Sequence, residues 1–291
     1  MTAVAAPTMP KRLASLVKIE HTVFALPFAY VGAILSLSEA DRLPSASQIL
    51  WITLAMVGGR SLAMALNRLI DREIDARNPR TAGRELPSGA LQTWHVVLFC
   101  LASLALFLVA VFQLAHVVRY LWPIPVIGFV VYPYLKRVTW GAHLWLGAVD
   151  GLAPVGGWVA ITGHMPWQAW VLGGGVAFWI AGFDLFYALF DREIDLQQGL
   201  HSWATRFGVR GCFTGARIFH VLAVALLVVV GLGLPVGLFY WLGVAAVAAL
   251  LLHEHSLVSP DDLSRLDAAF FTVNGVLSVV FFAFVLLDAL P

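Results

Sequence analysis

The chain has 291 residues, a formal net charge of +1 and a mean hydropathy of +0.85, with 60% hydrophobic and 12% charged residues. A soluble domain carries roughly 25% charged residues, so a water-exposed globule of this size would lack the charge to cover itself. The composition describes a polytopic membrane protein, and its near-neutral balance points away from nucleic acid.

The opening MTAVAAPTMPKRLASLVKIEH is short, polar and basic, with no cleavable signal expected. A helix needs about 20 apolar residues to cross the hydrocarbon. Nine runs qualify, at roughly 17–37, 47–69, 94–115, 118–135, 141–161, 168–190, 212–233, 235–252 and 268–289. Internal Pro and Gly (ALPFAY, WPIPVIG, LAPVGGW) suit bent or broken helices in a bundle. Cys100 and Cys212 sit in or beside apolar runs and read as small core residues, without disulfide or metal spacing. His253 and His255 read as a solvated polar loop.

The N-terminus and the loops after the second, fourth, sixth and eighth runs then share one membrane face. That face holds 15 of the 18 Lys and Arg residues; Arg42 and Arg119 lie opposite and Arg60 lies within a run. The positive-inside rule predicts that this face is cytoplasmic and the C-terminus external.

The word DREID occurs twice, at 71–75 after the second run and at 191–195 after the sixth. Four crossings separate the copies, so both lie on one face. The spacing predicts a parallel pseudo-repeat of about four helices that lets the two acidic clusters face each other. At about 100° per residue, Asn67, Asp71 and Asp75 make one helical stripe, with Arg60 two turns deeper on it. Asp184, Asp191 and Asp195 make a second stripe, with Tyr187 beside it. Glu73 and Glu193 point elsewhere, toward nearby Arg.

Facing carboxylates need cations between them, and Mg²⁺ uses one or two carboxylates plus substrate phosphate oxygens. Arg72, Arg192, Arg80, Arg84, Lys136 and Arg137 lie around the clusters to hold remaining phosphate charge. A site with these parts, open to the bilayer, suits a polyprenyl diphosphate.

These residues also carry a resemblance. NRLIDREID and DLFYALFDREID resemble the two Asp-rich motifs of the UbiA-type intramembrane prenyltransferases, and YPYLKR at 132–137 resembles the family's basic motif. KIEHTVFALPFAY and RTAGRELPSGAL are similar to the 4-hydroxybenzoate polyprenyltransferase-like branch, which includes the naphthoate prenyltransferases of the futalosine menaquinone route. The likeness runs from about Lys18 to Gly208, and beyond that only hydropathy matches. Lys18 stands where many members carry Arg.

The resemblance implies an all-α integral membrane fold of nine helices around a central cavity, as one domain over 1–291. It implies Mg²⁺ on Asn67, Asp71, Asp75, Asp191 and Asp195, and Lys136 on the diphosphate. The partners it implies are a polyprenyl diphosphate, an aromatic hydroxy-carboxylic acid acceptor and the lipid bilayer. Arg60 or Arg137 is the candidate for the acceptor's carboxylate, and Asp184 or Asp191 for the base. Tyr187 is the candidate for cation–π stabilisation of the prenyl cation. Asp150, in the fifth run, either faces the acceptor or bonds a neighbouring helix. A secondary transporter is the alternative, since parallel repeats and intramembrane acids suit that class too.

Overall fold

The computed structural model describes residues 8–18, 22–40 and 43–290. Residues 19–21 of the KIEH segment, and Arg42, lie outside them. Among the described residues the structure is helical, without strands and with one isolated bridge, Ser259–Asp262. The helices are α1 Met9–Leu16, α2 Thr22–Leu35, α3 Leu37–Ala40, α4 Ala46–Ile70, α5 Arg72–Arg77, α6 Thr93–Val111, α7 Val118–Leu121 and α8 Pro123–Leu135. They continue as α9 Ala142–Asp150, α10 Leu152–Thr162, α11 Trp167–Tyr187, α12 Arg192–Gln197, α13 Trp203–Leu232, α14 Leu238–Leu257 and α15 Asn274–Ala289.

Eight helical stretches among the described residues are long and apolar enough to cross a membrane, joined by a shorter apolar helix at Ala25–Leu35. Their outer faces leave Leu101, Ile127, Val221 and Leu252 more than half exposed, as side chains facing lipid would be. This is a multi-pass membrane protein.

Local chemistry sets where the helices stop. Ser45 caps α4 by accepting the Gln48 amide, and Gln48 returns the bond to the Ser45 amide. The fifth run breaks at Gly151, and Pro154 in the first turn of α10 lacks an amide hydrogen to continue the ladder from α9. Gly163, at φ 73°, ends α10 in the left-handed region.

Two expectations shift. The seventh span starts at Trp203 rather than near 212, because Ser202 accepts the Thr205 amide and the chain kinks at Gly208 (φ 69°, ψ −175°) instead of ending there. The eighth runs on to Leu257, which places His253, Glu254 and His255 on the helix rather than in a solvated loop. His255 packs on Phe186 and lies 3.0 Å from the buried His220, and Glu254 is fully buried beside Asn274. Burial of these groups keeps the helix going past the polar residues that mark a loop in sequence.

The main core joins α2, α10, α11, α13, α14 and α15 through Phe28, Trp158, Trp179, Leu227, Tyr240 and Phe281. Backbones approach closely where α2 crosses α10: a Cβ on Gly157 would stand 2.0 Å from the Ala29 carbonyl oxygen. Small residues permit such contacts between membrane helices. Cys100 and Cys212 are buried and free, as their apolar settings predict.

Candidate active site

Both DREID copies begin with a helix break. The ladder of α4 ends at Ile70, Asp71 takes φ −91°, ψ 6°, and α5 starts at Arg72. In the second copy α11 tightens to a 3₁₀ turn over Ala188–Phe190, Asp191 takes φ −106°, ψ −1°, and α12 starts at Arg192. The stripes are therefore bent at their first DREID aspartate, although Asp75 and Asp195 still bond back to the carbonyls of Asp71 and Asp191 at 2.8 Å.

The bends bring the copies to one polar cavity of about 140 Å³. Asn67, Asp71, Asp75, Lys136, Arg80, Arg84, Asp184, Tyr187, Asp191 and Asp195 all line it. Most of its acids are held by a cation. Lys136 Nζ lies 2.8 Å and Arg137 3.1 Å from the two oxygens of Asp71, and the Asn67 amide donates to Asp71 at 3.1 Å. Arg84 holds Asp75 at 2.8 Å. The loop after α5 reaches across the halves: Arg80 forks onto Asp191, donates to the Tyr187 hydroxyl at 2.9 Å and lies over its ring. The His201 amide donates to the Lys136 carbonyl at 2.7 Å, a second tie between the halves.

Charge and burial split the carboxylates. Burial raises Asp71, and Lys136 and Arg137 offset this only in part. Burial also pushes against Asp191, but the Arg80 fork and the Asn78 amide, 2.7 Å away, outweigh it and hold that carboxyl below the usual range. Asp195 has no salt-bridge partner among the described residues, and burial with the Asp191 charge pushes its carboxyl up to about 6.

Other named residues stand elsewhere. Arg72 and Arg192 contact their neighbours Glu73 and Glu193 and do not line the cavity. Arg60 lies 3.6 Å from Asp150, and both face a second, apolar cavity of about 420 Å³. The two cavities are stacked along the same helices. Arg60 and Ala63 of α4 precede Asn67, Phe129 of α8 precedes Tyr132, and Asp150 of α9 follows His143. Ile124 and Trp170, both more than half exposed, line the apolar cavity. Sequence reasoning missed Asn78, Tyr132 and His143, each of which faces the polar cavity. RNPRTAGR following DREID was a signal for Asn78, but His143 carries none in its apolar surroundings.

Among the described residues no three acids or histidines already form a metal cluster. The donor set is nonetheless right for a hard cation: one amide and four carboxylates facing one cavity, all oxygen ligands.

The UbiA prenyltransferase family matches residues 25–284. The chain belongs to that family. It is a prenyltransferase, which sets the transporter reading aside. It is 30% identical over 277 residues to a 4-hydroxybenzoate octaprenyltransferase of Aliivibrio fischeri, covering 94% of this chain and 93% of that one. Its structure is similar to the apo UbiA homologue of Aeropyrum pernix K1 (TM-score 0.84, 30% identity, 94% of this chain and 99% of that one). It shares its fold with an Archaeoglobus fulgidus UbiA homologue bound to GPP and Mg²⁺ (TM-score 0.74, 18% identity, 96% of this chain and 99% of that one).

Proposed function

We propose that this prenyltransferase moves a polyprenyl group from its diphosphate to an aromatic hydroxy-carboxylic acid, of the 4-hydroxybenzoate or 1,4-dihydroxy-6-naphthoate class, in quinone biosynthesis. The observation that carries the reading is the convergence of both DREID copies with Lys136 in one polar cavity, stacked on an apolar one.

In this reading Asn67, Asp71, Asp75, Asp191 and Asp195 hold Mg²⁺, and Lys136, Arg80 and Arg84 bind the diphosphate. Mg²⁺ supplies charge neutralisation for the departing diphosphate. Lys136, Arg84 and Arg80 now neutralise Asp71, Asp75 and Asp191. With Mg²⁺ held by the carboxylates, Lys136, Arg84 and Arg80 would be free to hold phosphate oxygens. Arg72 and Arg192, each paired to a glutamate outside the cavity, take no direct part in this reading. Tyr187 presents its ring to the forming cation, and water is kept out by the apolar wall beyond.

The tail lies along the apolar cavity toward the bilayer. Lipid is as apolar as this wall, so moving the tail into it releases little free energy. Affinity therefore resides at the diphosphate end, and selection of tail length is weak. Arg60 meets the acceptor's carboxylate at the junction of the cavities, in the place that Asp150 now occupies.

The same reading has nine crossings, counting the short α2, as a four-helix pseudo-repeat with one helix over. The N-terminus and site loops are cytoplasmic and the C-terminus external, in the cell membrane. The asymmetry of 15 basic residues among 18 supports it. Purified protein given one polyprenyl diphosphate, Mg²⁺ and a panel of ring acceptors tests the function. Carboxylated phenols or naphthols should be prenylated at carbon. Turnover confined to carboxylate-free acceptors would overturn the acceptor class.

A further inference from the structure

His143 and Asp184 form a buried pair in the wall of the polar cavity that donor binding leaves unused. His143 stands on the first turn of α9 and Asp184 on the last turn of α11, with Nδ1 and Oδ2 2.6 Å apart. The histidine is 8% exposed and the aspartate 6%. The other ring nitrogen, His143 Nε2, is buried with no hydrogen-bond partner among the described residues. Leaving a buried polar atom unpaired is unfavourable, and a ligand group that hydrogen-bonds to Nε2 would remove that cost. A carboxylate accepts only from an N–H, so in a neutral imidazole this contact places the proton on Nδ1 and leaves the lone pair on Nε2. Asp71, Asp75 and Asp191 are each already paired with Lys or Arg, and in the reading above they hold the metal.

We propose that His143 Nε2 is the base that removes the ring proton from the acceptor, with Asp184 as the positioning residue that fixes the imidazole. This rests on the prenyl-transfer reading above. The allylic C–O bond breaks and its electron pair leaves with the diphosphate. A ring carbon's π electrons then form the new C–C bond. The resulting arenium cation loses its C–H proton to Nε2, and the C–H electron pair restores aromaticity. Asp184 stabilises the imidazolium until its proton passes to water. No oxidant or reductant is needed.

The test uses purified full-length protein, the best acceptor of the panel, and the same acceptor deuterated at the attacked ring position. Wild type should show no primary isotope effect, because proton loss is fast. His143→Gln should lower kcat about 100- to 10,000-fold with KM for the donor unchanged, and a primary isotope effect should appear. Asp184→Asn should lose less and show the same new isotope effect, and it carries the test if His143→Gln does not fold. Added imidazole should partly restore His143→Ala. Wild-type turnover by His143→Gln, or rate losses in both variants without an isotope effect, would overturn the proposal. Absence of transfer by wild type with every acceptor would instead reject the underlying reading.

Discussion

Replacing Arg60 separates a structural ion pair from an acceptor site, because its only salt-bridge partner among the described residues, Asp150, can be replaced too. The two charges are 3.6 Å apart, each about 19% exposed, in an apolar cavity. Removing one partner of a fully buried pair costs about 3–5 kcal/mol. The loose contact and partial exposure bring the expected cost of Arg60→Ala to about 1–2 kcal/mol. Asp150→Asn removes the stranded charge, so the double variant should regain most of that stability. Function should not follow. A charged hydrogen bond to the acceptor's carboxylate contributes about 1.5–3 kcal/mol, which is about a 10- to 150-fold rise in KM. Both Arg60→Ala and the double variant should show that rise with 4-hydroxybenzoate, and neither should with a phenol lacking the carboxylate. The assay is thermal unfolding in detergent beside initial rates on the two acceptors. A double variant that recovers both stability and KM would refute the acceptor role and leave Arg60 structural.

Asp71→Ala and Asp191→Ala should each abolish transfer in folded protein, and the double variant should be no worse by product assay, since groups acting as one unit are not additive. Lys136→Ala should lower kcat with every acceptor by about 30- to 1000-fold, the range for a charge-stabilising group at the leaving oxygen. In chelator, Asp195→Asn should raise the midpoint of unfolding. With its folded pKa raised to about 6, ionisation of Asp195 destabilises the fold increasingly as pH rises from about 4 to 6. The gain should thus be about 1–2 kcal/mol at pH 7.5 and vanish near pH 4; an equal gain at both would contradict the charge argument. A reporter fused after Pro291 should read external and one placed within 76–92 cytoplasmic, and a cytoplasmic C-terminus would refute the nine-crossing arrangement.

Hydropathy alone located eight of the nine expected membrane helices, because lipid imposes one length and one chemistry on each. Their ends were less legible. The start of α13 depends on the Ser202 cap and the stop of α14 on burial of Glu254 and His255, neither of which a hydropathy run registers. The polar cavity was legible where residues share a helix face: Asn67, Asp71 and Asp75, or Asp184, Asp191 and Asp195. The bends at Asp71 and Asp191 were not, since DREID has good helix formers and no Gly or Pro. Long-range pairings were the least visible. Arg60 with Asp150 and His143 with Asp184 join residues 90 and 41 positions apart. A single sequence holds no record of which distant polar side chain satisfies another.

The central claim is that two copies of one motif, from separate halves of the chain, act together on a magnesium diphosphate. Its most direct test is transfer of a labelled polyprenyl group to 4-hydroxybenzoate by chelator-treated protein as Mg²⁺ is restored in steps. Product should be absent without metal and rise to saturation with it in wild type, and stay absent at all concentrations in both Asp71→Ala and Asp191→Ala. Metal-independent product, or full Mg²⁺-dependent turnover by either variant, would contradict the account.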